Sequence, residues 1–229
     1  MTPQFQTAYS ATQAQAVLQA NNYDINSLMG GWVDRGKWVY YDTMTVAAGA
    51  AVPATYTFFQ IGLGGVDSLT GLVKNKVQTN MPMASGGMFT PPRCLILDQI
   101  GFLFTGPTST SSANKAQTAL SDIEMIINSC YFEMTIDSKI FFEGNLLYHP
   151  PGYGIYGSSV SNNDNAWGLG FPSPSATYRF GNYGKYIAPL QAFAVKITFP
   201  GATLPLTGST GVGVNLQCLL KGLTDRSVQ

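Results

Sequence analysis

The chain has 229 residues, 45% of them apolar and 12% aromatic, and its twelve bases and twelve acids sum to no net charge. This excludes a disordered chain, which needs low hydrophobicity and few aromatics, and a nucleic-acid-coating surface, which needs a basic stripe. Charged residues make up only 10%, against roughly 25% in an average globular domain, so uncharged polar groups, glycine and rings must cover much of the outside, a composition suited to burial by partner proteins.

Residues 1–31 are rich in Gln, Ala, Asn and Thr and contain no base. Ala11, Ala14, Val17 and Leu18 fit one helical face, so the segment reads as an N-terminal arm or short helix ending at Gly30 and Gly31. Met1 to Ser10 shows neither a basic flank nor an apolar block, and no secretory signal is expected. From residue 32 to 229 no break in composition divides the chain, and a single domain is expected, with long loops at 62–92 and 148–176.

Strands begin at Trp38, where Trp38, Tyr40, Met44 and Val46 alternate with Val39, Tyr41, Thr43 and Thr45, and only Asp42 interrupts the apolar face. Thr55 to Ile61 is β-branched and aromatic, which suits a half-buried strand. The uncharged stretch Thr43 to Val66 is long enough to span a bilayer, but Pro53, Gln60 and the glycines at 62, 64 and 65 interrupt any apolar run of about 18 residues. Lys74 to Thr79 reads as a short edge strand marked by two lysines. Cys94 to Thr105 is apolar on both faces, with Ile96, Ile100, Phe102 and Phe104 on one and Leu95, Leu97 and Leu103 on the other, as in a strand covered on two sides.

A helix is predicted over Ala113 to Asn128, with Leu120, Ile123 and Ile127 as its apolar stripe and Ser111 or Ser112 as cap. Tyr131 to Asn145 is the clearest hairpin, turning at Asp137–Ser138. The glycine- and proline-rich region after Tyr148 has little periodicity; loops of that length in a compact domain are usually functional or covered by a partner. Tyr178 to Phe180 reads as a short strand, and strict alternation returns at Phe193 to Phe199 and Val212 to Leu220. The pattern is all-β: an antiparallel β-sandwich or barrel of about eight strands with one inserted helix.

No catalytic or metal-binding constellation emerges. His149, the one histidine, sits in a Tyr-His-Pro-Pro turn and reads as packed or loop-capping. Cys94, Cys130 and Cys218 are far apart, odd in number and next to apolar segments, so buried free thiols are expected and zinc spacing is lacking. The run Asn162 to Asn165 has one formal charge and no calcium-loop spacing. Glu133 and Glu143 can face one another across the hairpin, a pairing that serves glycoside hydrolysis, but alternation places Glu133 on the polar face. The glycines at 62, 64, 65, 208 and 211 lack the lysine of a phosphate loop. Tyr153, Tyr156, Trp167, Phe171, Tyr178, Phe180, Tyr183 and Tyr186 form an aromatic stretch that fits stacking on sugars or a protein interface. The shortage of Asp, Glu and Arg to bind sugar hydroxyls favours the interface.

The polar arm, the eight or so strands, the low charge and the long Gly/Pro/aromatic loops together resemble a jelly-roll capsid protein of tailless icosahedral bacteriophages. The block Phe132 to Tyr153 followed by Tyr178 to Phe199 carries the likeness, with Lys139-Ile140-Phe141-Phe142 as an inner strand, Pro150-Pro151-Gly152 as a shell-surface loop and Gln191 to Val195 as a late strand. The resemblance implies a jelly roll, a place in the virion, and partners that are copies of the chain and other capsid proteins, with no enzymatic activity, cofactor, metal or small-molecule substrate. Its interface candidates are Tyr153, Tyr156, Trp167, Phe171, Tyr178, Tyr183, Tyr186, Val17 and Leu18. The chain departs from many capsid proteins in lacking a basic arm for the genome. The competing expectation is a carbohydrate- or receptor-binding β-sandwich of the spike or adhesin kind.

Overall fold

Period-two alternation becomes two antiparallel sheets that bury their apolar faces against each other. The computed structural model describes residues 33–47, 50–82, 86–105, 120–150, 155–157, 167–169, 177–180, 184–199 and 214–227. In chain order the elements are β1 (Val33–Val46), β2 (Thr55–Phe58), β3 (Cys94–Thr105), helix α1 (Leu120–Ser129), β4 (Tyr131–Ile136), β5 (Lys139–Asn145), a 3-10 turn (Leu146–Tyr148), β6 (Ile155–Gly157), β7 (Trp167–Leu169), β8 (Tyr178–Arg179), β9 (Lys185–Ile187), β10 (Phe193–Thr198) and β11 (Val214–Ser227). The arm predicted over residues 1–31 and the first part of the predicted helix, 113–119, lie outside the described residues.

The pairings are nested about the Asp137–Ser138 turn. β4 pairs with β5, β3 with β8 and β9, β2 with β10, and β1 with β11, all antiparallel. Two more antiparallel pairings, β3 with β11 and β4 with β10, join these ladders into a five-stranded sheet of order β1-β11-β3-β8, with β9 also on β3, and a four-stranded sheet of order β2-β10-β4-β5. β6 and β7 form a small antiparallel pair of their own, inside the region expected to be loop.

From one sheet Tyr56, Phe58, Phe132, Met134, Ile136, Phe193, Val195 and Ile197 are buried; from the other Tyr40, Met44, Ile100, Phe102, Leu216, Cys218 and Leu220. Rings meet across the gap, with Phe102 centred 6.3 Å from Phe58 and 5.0 Å from Phe132. Burying each large apolar side chain of this kind stabilises the fold by about 1.5–3 kcal/mol. Helix α1 contributes Ile123 and Ile126, both fully buried, and Ile127 packs against the same core.

The register along β3 departs from strict alternation. Gln99 lies opposite Lys221 and Leu97 opposite Gly222, so Asp98 is an extra residue, a bulge. The bulge switches faces: Leu95 and Leu97 join Ile100, Phe102 and Phe104 in the core, while Ile96 and Leu103 are half-buried. A bulge of this sort turns the strand and re-aims its side chains. Gly222 is required there, since a Cβ at this position would lie 2.0 Å from the Ile96 carbonyl oxygen.

Residues 74–79 form no edge strand. Within them only Thr79 bridges, to Asp42, and Lys74 is buried, which turns the segment inward and out of extended pairing. The three cysteines are buried and free, as expected, and burial pushes the Cys94 thiol up to about 11 and the Cys130 thiol up to about 12.

Candidate interaction surfaces

β1 and β2 run along one long edge of the sandwich, and the connection from Phe59 to Pro82 packs over that edge. Its anchor is Lys74, whose Nζ donates to Asp42 Oδ1 at 2.7 Å, to Tyr56 Oη at 3.0 Å and to the Thr43 carbonyl at 3.3 Å. Each member of the ion pair has 1% side-chain exposure. Asp42 Oδ2 accepts the backbone N–H of Phe59 at 2.7 Å, which holds Phe59 at a left-handed φ of 66°. Burial pushes the Asp42 carboxyl above its ordinary value, and the Lys74 ammonium and the Phe59 amide pull it part of the way back. Asp67 is also buried. Its Oδ1 accepts the Leu69 N–H at 3.0 Å and fixes the next turn.

The same connection covers the free side of β1. The Asn80 side chain donates to the Val39 carbonyl and accepts from Tyr41 N–H, and Thr79 Oγ1 donates to the Tyr41 carbonyl. An edge strand with unpaired N–H and C=O groups invites unwanted pairing, and here its central residues are occupied. Beyond these contacts the connection presents Val66, Leu69, Leu72, Val73 and Val77 to solvent, Leu72 at 65% and Val77 at 73% exposure. Lys76 is exposed among them. Alternation does not mark this patch. Its available signal was a run of aliphatic residues, 66 to 77, with no period that would bury them.

β5 and β8 form the opposite edge. Phe142 stacks on Phe180 at 3.8 Å, and His149 sits between Phe132 and Tyr178 at 4.6 Å from each. The 3-10 turn is capped by Asn145 Oδ1, which accepts the Leu147 N–H, and the turn delivers His149 to the core, where Phe102 N–H donates to the His149 carbonyl. His149 Nδ1 lies 3.3 Å from the Asn145 carbonyl, a partner that can only accept, so the ring's proton sits on Nδ1. Burial lowers the His149 pKa below the ordinary value. Around this cluster Tyr131, Ile140, Leu147, Tyr148 and Tyr178 are exposed, Tyr148 at 68%.

Among the predicted interface residues, Tyr178 lies on this edge with its ring exposed. Tyr186 does not join it there: it is half-buried and hydrogen-bonds the Cys94 thiol. Tyr156 and Trp167 sit on the paired strands β6 and β7. Tyr153, Phe171, Tyr183, Val17 and Leu18 lie outside the described residues. Glu133 and Glu143 are directly opposed in the β4–β5 ladder, on the outer face, where Lys196 approaches Glu133 at 3.9 Å. The Tyr131 hydroxyl donates to Glu143, and that bond with the carboxylate charge pushes its pKa up to about 12.

Among the described residues no cluster of His, Cys, Asp or Glu is arranged to hold a metal ion, and no helix is long and apolar enough to cross a membrane. Comparison of the chain with protein-family models, with curated proteins and with solved structures gives no match.

Proposed function

We propose that the chain is a structural subunit of a viral shell, a jelly roll that assembles with copies of itself and with other shell proteins and that acts through its surfaces, not through catalysis. The observation that carries this reading is the nested strand order. A jelly roll is an antiparallel hairpin of eight strand positions rolled into two facing sheets. Counting β8 and β9 as one position, the main strands pair first with eighth, second with seventh, third with sixth and fourth with fifth.

The surface chemistry supports the same reading. Charged residues are few, and Asp42 and Lys74 neutralise each other inside, which leaves still fewer for solvent. Both long edges expose aliphatic and aromatic side chains. Surfaces of this kind lose little on desolvation and suit the apolar centre of a stable interface, whereas on a permanent monomer they promote aggregation.

The test is assembly of the purified protein, followed by sedimentation velocity and electron microscopy across protein and salt concentration. Closed particles of uniform size are the expected result. A protein that stays monomeric throughout, or a monomer that binds a defined glycan, would overturn the proposal, the latter in favour of a receptor-binding module.

A further inference from the structure

The two exposed apolar patches lie on opposite long edges of the sandwich. The fold fixes this. β1 and β2 are at one end of their respective sheet orders, and β8 and β5 are at the other. The sheets meet at each edge, through Phe59 N–H on Asp42 at one and Phe142 on Phe180 at the other. The patches also differ in kind. The β1–β2 edge offers an aliphatic ridge, Val66, Leu72, Val73 and Val77, and the β4–β5 side offers Tyr131, Ile140, Leu147 and Tyr148.

Charge distinguishes them further. Asp67 and Lys74 are buried, so Lys76 is the exposed charge of residues 61–82. On the outer face of the β4–β5 ladder Glu133 and Glu143 face each other in register, a like-charge pairing that destabilises a ladder. Lys196 offsets only Glu133, and loosely, at 3.9 Å. Glu143 is exposed, and its hydrogen bond from the Tyr131 hydroxyl supplies no countercharge.

We infer that the aliphatic ridge of one copy docks on the Tyr131–Tyr148 side of the next, with Lys76 of the first placed against Glu143 of the second. The inference rests on the shell-subunit reading and gives it a direction. Unlike patches on opposite edges make a head-to-tail contact, which generates rings or extended lattices and not an isolated two-fold dimer. The cation relieves the opposed carboxylates, and the aliphatic and aromatic side chains are removed from water together.

The experiment compares wild type with Val77→Asp, Lys76→Glu, Glu143→Lys and the double exchange Lys76→Glu/Glu143→Lys, reading the protein concentration at which particles form. All these positions are exposed, and unchanged circular dichroism and thermal midpoint confirm folding. Each single variant should raise the assembly concentration at least about tenfold, and the double exchange should restore it, since the pair is re-formed with its signs reversed. Single variants that assemble like wild type, or a double exchange that stays disassembled, would overturn this contact while leaving the shell reading intact. A wild type that never assembles would remove both.

Discussion

At the β1–β2 edge the overlying loop is fastened by one ion pair with 1% exposure on each side. At the β5–β8 edge the closure is made by rings, Phe142 on Phe180 and His149 between Phe132 and Tyr178. Both arrangements shut the sandwich, but they fail differently. A buried ion pair pays heavily for desolvation, so its net stabilisation is small while the loss of one partner is severe. Stacked rings contribute through area and edge-to-face attraction, so the loss of one leaves a gap that neighbours partly fill. The ion pair therefore fixes where the loop sits, and the rings supply bulk stability without specifying one partner.

The sharpest way to break that contrast is Lys74→Ala. It leaves the buried Asp42 carboxyl without its countercharge, and should cost about 3–5 kcal/mol in urea unfolding, whereas Lys74→Met combined with Asp42→Leu should recover most of that loss. A single variant within about 1 kcal/mol of wild type would mean that the pair does not hold the loop.

On the aromatic edge Phe142→Ala should cost less, about 1.5–3 kcal/mol, because the ring is only half-buried and its stack on Phe180 adds modestly to its area.

His149 adds a pH signature to the same edge. Its folded-state pKa is lowered below 6.5 by burial, so the unfolded chain takes up the proton first. The stability it supports is complete above 6.5 and is lost as pH falls through that value toward the folded pKa. Denaturation midpoints of wild type and His149→Asn between pH 8 and pH 5 should differ in slope, with the variant flatter over that window.

Smallest of all is Lys196→Ala. The 3.9 Å contact to Glu133 is solvent-exposed, and its removal should move stability by no more than about 0.5 kcal/mol.

Much of the sandwich was legible because alternation reports which face is buried. Phe132, Met134 and Ile136 read inward and are inward, as are Phe193, Val195 and Ile197. Asp42 also announced itself as the one acid in an apolar register, but its partner could not be named. Lys74 and Lys76 share the same parity and similar neighbours, yet one is buried and the other exposed, a difference set by Asp42 32 residues earlier. The bulge at Asp98 is not legible in the sequence, because a one-residue slip leaves no mark in composition and reverses the faces on either side of it. β9 spans three residues, too few for a period to register. The aromatic stretch from Tyr153 to Tyr186 looks like one surface in sequence, but Tyr178 is exposed while Tyr186 turns to the Cys94 thiol, a partner that aromatic content does not reveal.

The nesting about Asp137–Ser138 has a consequence for how the protein is made. The hairpin of β4 and β5 needs only neighbouring residues and can close as soon as it leaves the ribosome. β1, the first of the described strands, pairs along its length with β11, the last of them, so its ladder must wait until every described element between the two has emerged. Pairings between such distant residues close slowly and leave strand edges exposed meanwhile. The loop held by Lys74 needs only β1 and β2 beside it, both made early. It is placed to cover the outer side of β1 during that wait, guarding a nascent strand before its true partner exists.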